Sequence, residues 1–406
     1  MNAKENDVGA IFRRYMSQYR KEYSLSYEQS QAARAIMACR TPALGGVIKA
    51  CSECGNWEFQ YKSCKNRHCP KCGAFEKAQW LEAQKLWVLP IHYYHVVFTI
   101  DHVFNPLVWW NQEVLYNQLI ECAAQLLKAY GRKELGGEIG FTLVLHTWGQ
   151  TIQAHPHLHF IVTGGALVHT PNGDRWKGAK PNYLFNVAAL SRDFRRAFCE
   201  GVRSLWQAGS LNTKQGKLDV DEMVRQAEAK KWEVYIQAPV YGVEKLLEYL
   251  GRYIFRIAMS NHRIVAVDQD RVTFTYYDNR EDQQRERKPR QMTIPAVEFI
   301  HRFLMHVLPD HFVRIRHYGL HHGSCRAKLQ QARRLLGLPA ALPVVLQLKL
   351  LDWLKKILQT EQDPRLCQAC QKGLLLLVRQ VGPMSEGRAR FLALLSSFVR
   401  WKMVTA

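Results

Sequence analysis

Through the middle of the chain, short β-rich runs alternate with stretches whose apolar residues recur at helical spacing. Residues 95–100, His-Val-Val-Phe-Thr-Ile, are rich in β-branched and aromatic side chains and predict a strand. Residues 106–130 predict one long amphipathic helix, stopped at Gly131. Residues 141–150 and 152–164 predict the two strands of a hairpin. A helix with a basic face follows over 190–205, then a strand over 232–237 ending before Pro239, then a helix over 243–260. Residues 264–267 and 272–277 predict a second hairpin around 268–270.

The flanks read differently. Residues 1–45 predict basic helices that break at Gly45-Gly46. Residues 47–75 are dense in cysteine and turn formers, and 76–89 predict a helix ending at Pro90. Residues 171–181 predict a basic, glycine-containing loop. Residues 278–291 predict a charged hairpin tip or linker, and the remainder predicts mostly basic helices. The fold class expected from this order is α+β.

Composition narrows the partners. The 406 residues include 56 Lys and Arg against 35 Asp and Glu, a formal charge of +21. Such an excess suits a polyanion. A hydrophobic share of 47% sustains a packed core and argues against wholesale disorder. The start is polar, and no apolar run nears the ~20 residues that span a bilayer, so a cytoplasmic protein with no membrane partner is expected. Three of the cysteine pairs are Cys-x2-Cys, which in a reducing compartment read as metal ligands rather than disulfides.

The histidines are the first candidate site. In His155-Pro156-His157-Leu158-His159 the imidazoles alternate, so in a strand they project from one face, about 7 Å apart. Burying three uncompensated rings is costly, and imidazole is a common ligand for divalent metals. Open positions on such an ion can take a phosphate oxygen. His157 and His159 are the stronger pair; His155, Gln150 or Gln153 completes the set.

The second candidate is helical. Tyr249 and Tyr253 stand at i and i+4 and share one face. Arg252 and Arg256 share a neighbouring stripe suited to phosphates. Such a helix is usually only packing. Beside a metal-polarised phosphate, however, a phenol oxygen completes a phosphoryl-transfer centre.

Cys51, Cys54, Cys69 and Cys72 form two pairs spaced for a structural, tetrahedral Zn2+, with Cys64 and His68 between them as further candidates. Cys367 and Cys370 make a third pair that Cys325, His321 or His322 could complete, or they are simply reduced surface thiols. Arg314, Arg316, His317 and Tyr318 open a stretch nearly free of acidic residues and suit a groove that tracks DNA.

Taken in order, these motifs resemble a known family. The run is Cys-x2-Cys with Arg67-His68-Cys69-Pro70-Lys71-Cys72, then His-Pro-His-Leu-His before Val-Thr-Gly-Gly, then Tyr249-Leu-Gly-Arg-Tyr253-Ile-Phe-Arg256, then Arg316-His317-Tyr318-Gly319. It resembles the two-tyrosine HUH transposases of rolling-circle bacterial insertion sequences, relatives of the Helitrons. The resemblance implies an HUH nuclease core whose antiparallel sheet is flanked by helices, with Mg2+ or Mn2+ at the histidines. It implies that Tyr249 and Tyr253 attack scissile phosphates of single-stranded DNA, giving 5′-phosphotyrosine links at element ends and their hairpins. The expected layout is a helical DNA-binding segment at 1–46, a zinc-binding module at 47–90, the HUH core at 91–277 and a basic, mainly helical DNA-binding region at 278–406. No Gly-x4-Gly-Lys-Ser/Thr loop occurs in the sequence, so unwinding would fall to host replication or helicase proteins.

Three other readings predict different behaviour. A replication initiator or relaxase would act on origin DNA. A non-catalytic zinc-dependent regulator would be indifferent to loss of both tyrosines. A zinc hydrolase would turn over small molecules without a protein–DNA adduct.

Overall fold

The structure, a computed structural model, describes residues 6–277, 288–342, 349–385 and 387–389, apart from the side chains of 252–254. Among these residues the fold is α+β with antiparallel sheets. The chain forms two compact units, one from Met1–Gln79, Ile257–Val307 and Gln347–Ala406, the other from Trp80–Arg256 and Leu308–Leu346. The four consecutive segments expected from the sequence do not map one by one onto these units, because each unit collects strands from distant stretches.

The second unit is built on a five-stranded sheet. Strands β1 (Tyr93–Thr99), β2 (Gly140–Trp148), β3 (Ala154–Thr163), β4 (Val234–Val240) and β5 (Ile315–Gly319) lie in the order β5-β2-β3-β1-β4. Every neighbouring pair is antiparallel. On one face Leu158, Phe160 and Val162 of β3 pack with Val96, Phe98, Phe141 and Leu143 beneath α1 (Gln112–Tyr130) and α2 (Val187–Gln207). Side chains buried this completely contribute about 1.5–3 kcal/mol each. On the other face Tyr93, Val144 and Ile161 pack against Leu246, Leu247 and Leu250 of α3 (Val243–Ile254). Alternation along β3 puts His157 and His159 on this second face. Pro156 is tolerated in a central strand because it sits beyond the last β1 pairing and where the β2 ladder slips.

Several boundaries depart from the sequence expectation. The helix expected over 106–130 breaks at Asn111, between Asn105–Trp110 and Gln112–Tyr130. The Asn111 amide donates to the Leu107 and Asn212 carbonyls and accepts from the Asn212 N–H, so the side chain holds a distant loop. Gly131 does not stop the helix: a wider turn runs over Gly131–Leu135, and Gly136, with φ of 76°, ends it. The 171–181 loop contains a strand, Arg175–Gly178, paired with Gly165–Val168. Pro239 lies inside β4, an edge strand, where the absent N–H is tolerated. The helix expected to reach 260 ends at Ile254.

In the first unit, helices Val8–Glu22 and Tyr27–Ala38 lie within the basic stretch expected to be helical. Phe12 of the former meets Phe303 of helix Ala296–Leu304 edge-on, centroids 5.3 Å apart. Asp7 caps the first helix at Ala10 N and pairs with Lys71 at 2.8 Å. Strand Gly46–Cys51 lies between Trp57–Tyr61 and Leu375–Val381. A second sheet contains the predicted hairpin, Ile264–Asp268 with Arg271–Tyr276, and adds Arg290–Pro295. Residues 278–287 of the charged stretch lie outside the described residues. No described helix is long and apolar enough to cross a membrane.

Gly45 turns the chain into this three-stranded sheet with φ of 67°, and a Cβ there would collide with the Val381 carbonyl. Gly45→Ala should therefore lower stability by about 1–3 kcal/mol, read as a lower denaturant midpoint.

Candidate functional site

His157 and His159 occupy the expected face, and β2 supplies the third imidazole. His146 pairs directly opposite His157 across the β2–β3 ladder. One ring nitrogen from each of His146, His157 and His159 lies within 4.8 Å of the other two. His155, expected as a ligand, is exposed and outside this set. The ladder slips between His146 and Trp148, so the run past His157 leaves the regular register. His155 contributes its carbonyl instead, 2.6 Å from His157 Nδ1. With Nδ1 donating there, His157 keeps Nε2 for a metal.

Burial pushes His157 down to about 3 and His159 well below the usual imidazole range. Both rings are thus neutral near pH 7, the form that ligates metals. The signal for His146 was present but weak. It lay in the strand read over 141–150, yet a lone histidine shows no alternation; only the hairpin register sets it opposite His157.

Tyr249 of α3 reaches the same face. Its hydroxyl lies 2.6 Å from His95 Nδ1 and 2.7 Å from Gln237 Oε1. His95 Nε2 lies 2.8 Å from His159 Nδ1, and the two rings stack with centroids 5.0 Å apart. Burial lowers His95 to about 4, so it too is neutral. One proton arrangement leaves His159 Nε2 unprotonated, the form that can ligate a metal. His159 donates its Nδ1–H to His95 Nε2, His95 donates its Nδ1–H to the phenol oxygen, and the phenol donates to Gln237. Neither His95 nor Gln237 stands out in the sequence, since their strands read only as β-rich.

Arg256, past the end of α3, is exposed, and its carbonyl accepts from Arg314 Nη1 at 3.3 Å. Helix α3 runs through Arg252 and Tyr253, whose side chains lie outside the described ones. The stretch holding Arg314, Arg316, His317 and Tyr318 is an edge of the core sheet rather than part of a helical region, because Ile315–Gly319 pairs with β2. Arg316 donates to Asn117 Oδ1 at 2.5 Å and to the Val313 carbonyl. Tyr318 stacks on Phe141 beneath the Lys128 ammonium. His317 Nδ1 lies 2.9 Å from Thr142 Oγ1 on the opposite face. Lys128, Arg132, Arg316 and His322 line an open cleft of about 680 Å³ along this edge.

The cysteines do not form the single Cys51, Cys54, Cys69 and Cys72 site expected from spacing. They form two clusters, each with its four sulfurs within 4.8 Å of one another. Cys69 and Cys72 join Cys64 and Cys39, the last unanticipated. Cys51 and Cys54 join Cys367 and Cys370. The reason is topological: the returning strand Leu375–Val381 pairs with Gly46–Cys51 and brings the late pair to the early one. His68 joins neither cluster, and Cys325, His321 and His322 do not join Cys367 and Cys370.

Known proteins give these clusters their context. Residues 11–100 match the family described as "Transposase zinc-binding domain", and residues 140–328 match the family described as "Putative transposase". The chain is 38% identical over 387 residues to "Putative transposase y4qJ" of Sinorhizobium fredii (strain NBRC 101917 / NGR234), covering 92% of this chain and 94% of that protein. The chain belongs to this transposase family. The transposase is also 27% identical over 292 residues to "Transposase for insertion sequence element IS801" of Pseudomonas savastanoi pv. phaseolicola, covering 70% and 68% of the two chains. No solved structure matches.

A transposase is an enzyme that acts on DNA, which suits a formal charge of +21. Its zinc-binding domain and clustered cysteines support structural Zn2+. The transposase match takes in His146, His157, His159, Tyr249 and β5, whereas the zinc-binding match ends well before Cys367.

Proposed function

We propose that the transposase nicks and rejoins single-stranded element ends through a 5′-phosphotyrosine link. In this reading Tyr249 is a nucleophile, and His146, His157 and His159 hold Mg2+ or Mn2+. The observation that carries it is the Tyr249 hydroxyl joined through His95 to the histidine set. Three converging imidazoles leave positions for substrate oxygen and so fit a catalytic ion. Once bound, such an ion would withdraw charge from a phosphoryl oxygen.

The side chains do the rest. A phenol with a pKa near 10 is a poor nucleophile in water. The His95 N–H aimed at the Tyr249 oxygen favours its anion. Attack of that oxygen on phosphorus forms the O–P bond as the phenol proton passes to solvent, and breaks the bond to the 3′ oxygen, which takes a proton from solvent and leaves as a hydroxyl. The phosphotyrosine conserves the bond, so a 3′ hydroxyl can reverse the step without a nucleotide cofactor. Tyr253, one turn along α3, is the second nucleophile, and Arg252 and Arg256 steady phosphates. The β5 edge, with Lys128 and Arg132 beside Arg314, Arg316, His317 and Tyr318, tracks the backbone of the strand or its hairpin. Cys39, Cys64, Cys69 and Cys72 hold the zinc of the zinc-binding domain. Host replication or helicase proteins supply the unwound strand, in the cytoplasm.

The test uses label position. Protein, Mn2+ and single-stranded element-end DNA should give a denaturant-stable adduct that carries a 3′-end label and not a 5′-end label. No adduct on cognate ends with folded protein, or an adduct carrying the 5′ label, would overturn the mechanism.

His95 should act as a positioning residue. His95→Ala is expected to weaken Mn2+ binding about 10–100-fold, because His159 loses the acceptor that fixes its ring. Titration calorimetry reads this directly. His95→Gln, whose side-chain oxygen can accept the same hydrogen bond, should recover part of the affinity.

A further inference from the structure

We propose that the transposase carries two structural zinc ions, and that the second is held by Cys51, Cys54, Cys367 and Cys370, closing the chain on itself. Sulfur spacing is the first argument. A tetrahedral ion with Zn–S bonds of about 2.3 Å requires sulfurs about 3.8 Å apart. Cys51 and Cys370 are 3.6 Å apart, and Cys54 and Cys367 are 3.8 Å apart. The first cluster shows the same spacing, 3.6 Å for Cys39–Cys72 and 3.8 Å for Cys64–Cys72. A disulfide needs about 2.05 Å and would join only two of the four sulfurs.

The backbone is the second argument. Each Cys-x2-Cys pair forms a tight turn whose N–H groups face sulfur. Glu53 N donates to Cys51 Sγ and Gly373 N to Cys370 Sγ, both at 3.4 Å, and the Asn56 amide approaches Cys367 Sγ at 3.9 Å. Donors aimed at sulfur stabilise thiolate, the form that binds metal. A Cβ at Gly373 would collide with the Cys51 sulfur, so glycine lets the two turns close on each other. Each turn feeds one of two paired strands, Gly46–Cys51 and Leu375–Val381. With Cys51 and Cys367 buried and four sulfurs converging, no position is left for a substrate, and the site is structural.

Cys54 and Cys367 are 313 residues apart, and Cys367 and Cys370 lie outside both family matches. The late segment is therefore part of the zinc-held unit rather than a separate tail, and the ion fastens it at the point where its strand begins.

Metal analysis of purified full-length protein by mass spectrometry should give two zinc ions and no iron per chain. Cys367→Ser with Cys370→Ser should leave one zinc, and Cys64→Ser with Cys72→Ser should also leave one. Limited proteolysis should then cut after residue 360 faster in the Cys367/Cys370 variant than in the wild type. One zinc in the wild type, iron at the second site, or two zincs retained by the Cys367/Cys370 variant would overturn the proposal. Should either variant fail to fold, cobalt titration of the metal-free wild type decides: tetrathiolate absorption saturating at two equivalents supports it, and saturation at one overturns it.

Discussion

Replacing Tyr249 with phenylalanine is expected to lower the rate of protein–DNA adduct formation by about 10³-fold or more, with the fold intact. The substitution removes the oxygen that would form the bond to phosphorus, and nothing else in the ring. The structural cost is modest, since losing one hydroxyl that bonds to His95 and Gln237 is worth about 1–3 kcal/mol. Circular dichroism and zinc content should therefore be unchanged. Mn2+ binding should change little, because His95 still accepts from His159. Peptide mapping of the wild-type adduct should place the nucleotide on Tyr249. Any residual adduct in Tyr249→Phe should map to Tyr253 and vanish in the double variant. Wild-type adduct rates in Tyr249→Phe would remove Tyr249 from the chemistry and leave its hydrogen bonds a packing role.

The sequence showed groupings along single elements better than groupings between them. His157 and His159 were legible because alternation is a property of one strand. Tyr249 was legible only as one end of an i, i+4 pair on α3. His146 and His95 were not, because each joins the site through a ladder: His146 by standing opposite His157, His95 by reaching across from β1 to His159. Ladder register depends on bulges, and the slip between His146 and Trp148 is what separates His155 from its neighbours.

The cysteines teach the same lesson at longer range. Fourteen intervening residues made Cys54 and Cys69 look like halves of one site. Strand pairing across more than three hundred residues instead joined Cys51 to Cys370. Ile315–Gly319 was hidden for a similar reason. Its cations and aromatics read as a binding groove, but backbone pairing with Gly140–Val144 makes it the edge of the core sheet. Asn111 shows the local version: propensity favoured a continuous helix, and a side chain that satisfies a distant loop broke it.

The histidine face offers the sharpest comparison, between His146→Ala and His155→Ala. Sequence alternation favours His155 as a ligand; the register favours His146. His146 is 2% exposed, directly opposite His157, and within ligand distance of both partners. Removing one of three ligands from a catalytic ion forfeits several kcal/mol of charge stabilisation, and each 1.36 kcal/mol is tenfold in rate. His146→Ala should thus lower Mn2+-dependent nicking by about 10²–10³-fold and weaken Mn2+ binding in step. His155→Ala keeps the carbonyl that holds His157 Nδ1 and removes only an exposed ring, so its rate should stay within about threefold of wild type. Zinc content should be unaffected in both variants, because the thiolate clusters belong to the other unit. If His155→Ala proved the damaging change and His146→Ala the mild one, the ion would sit further along β3, and the His95 link to His159 would lose its bearing on the metal.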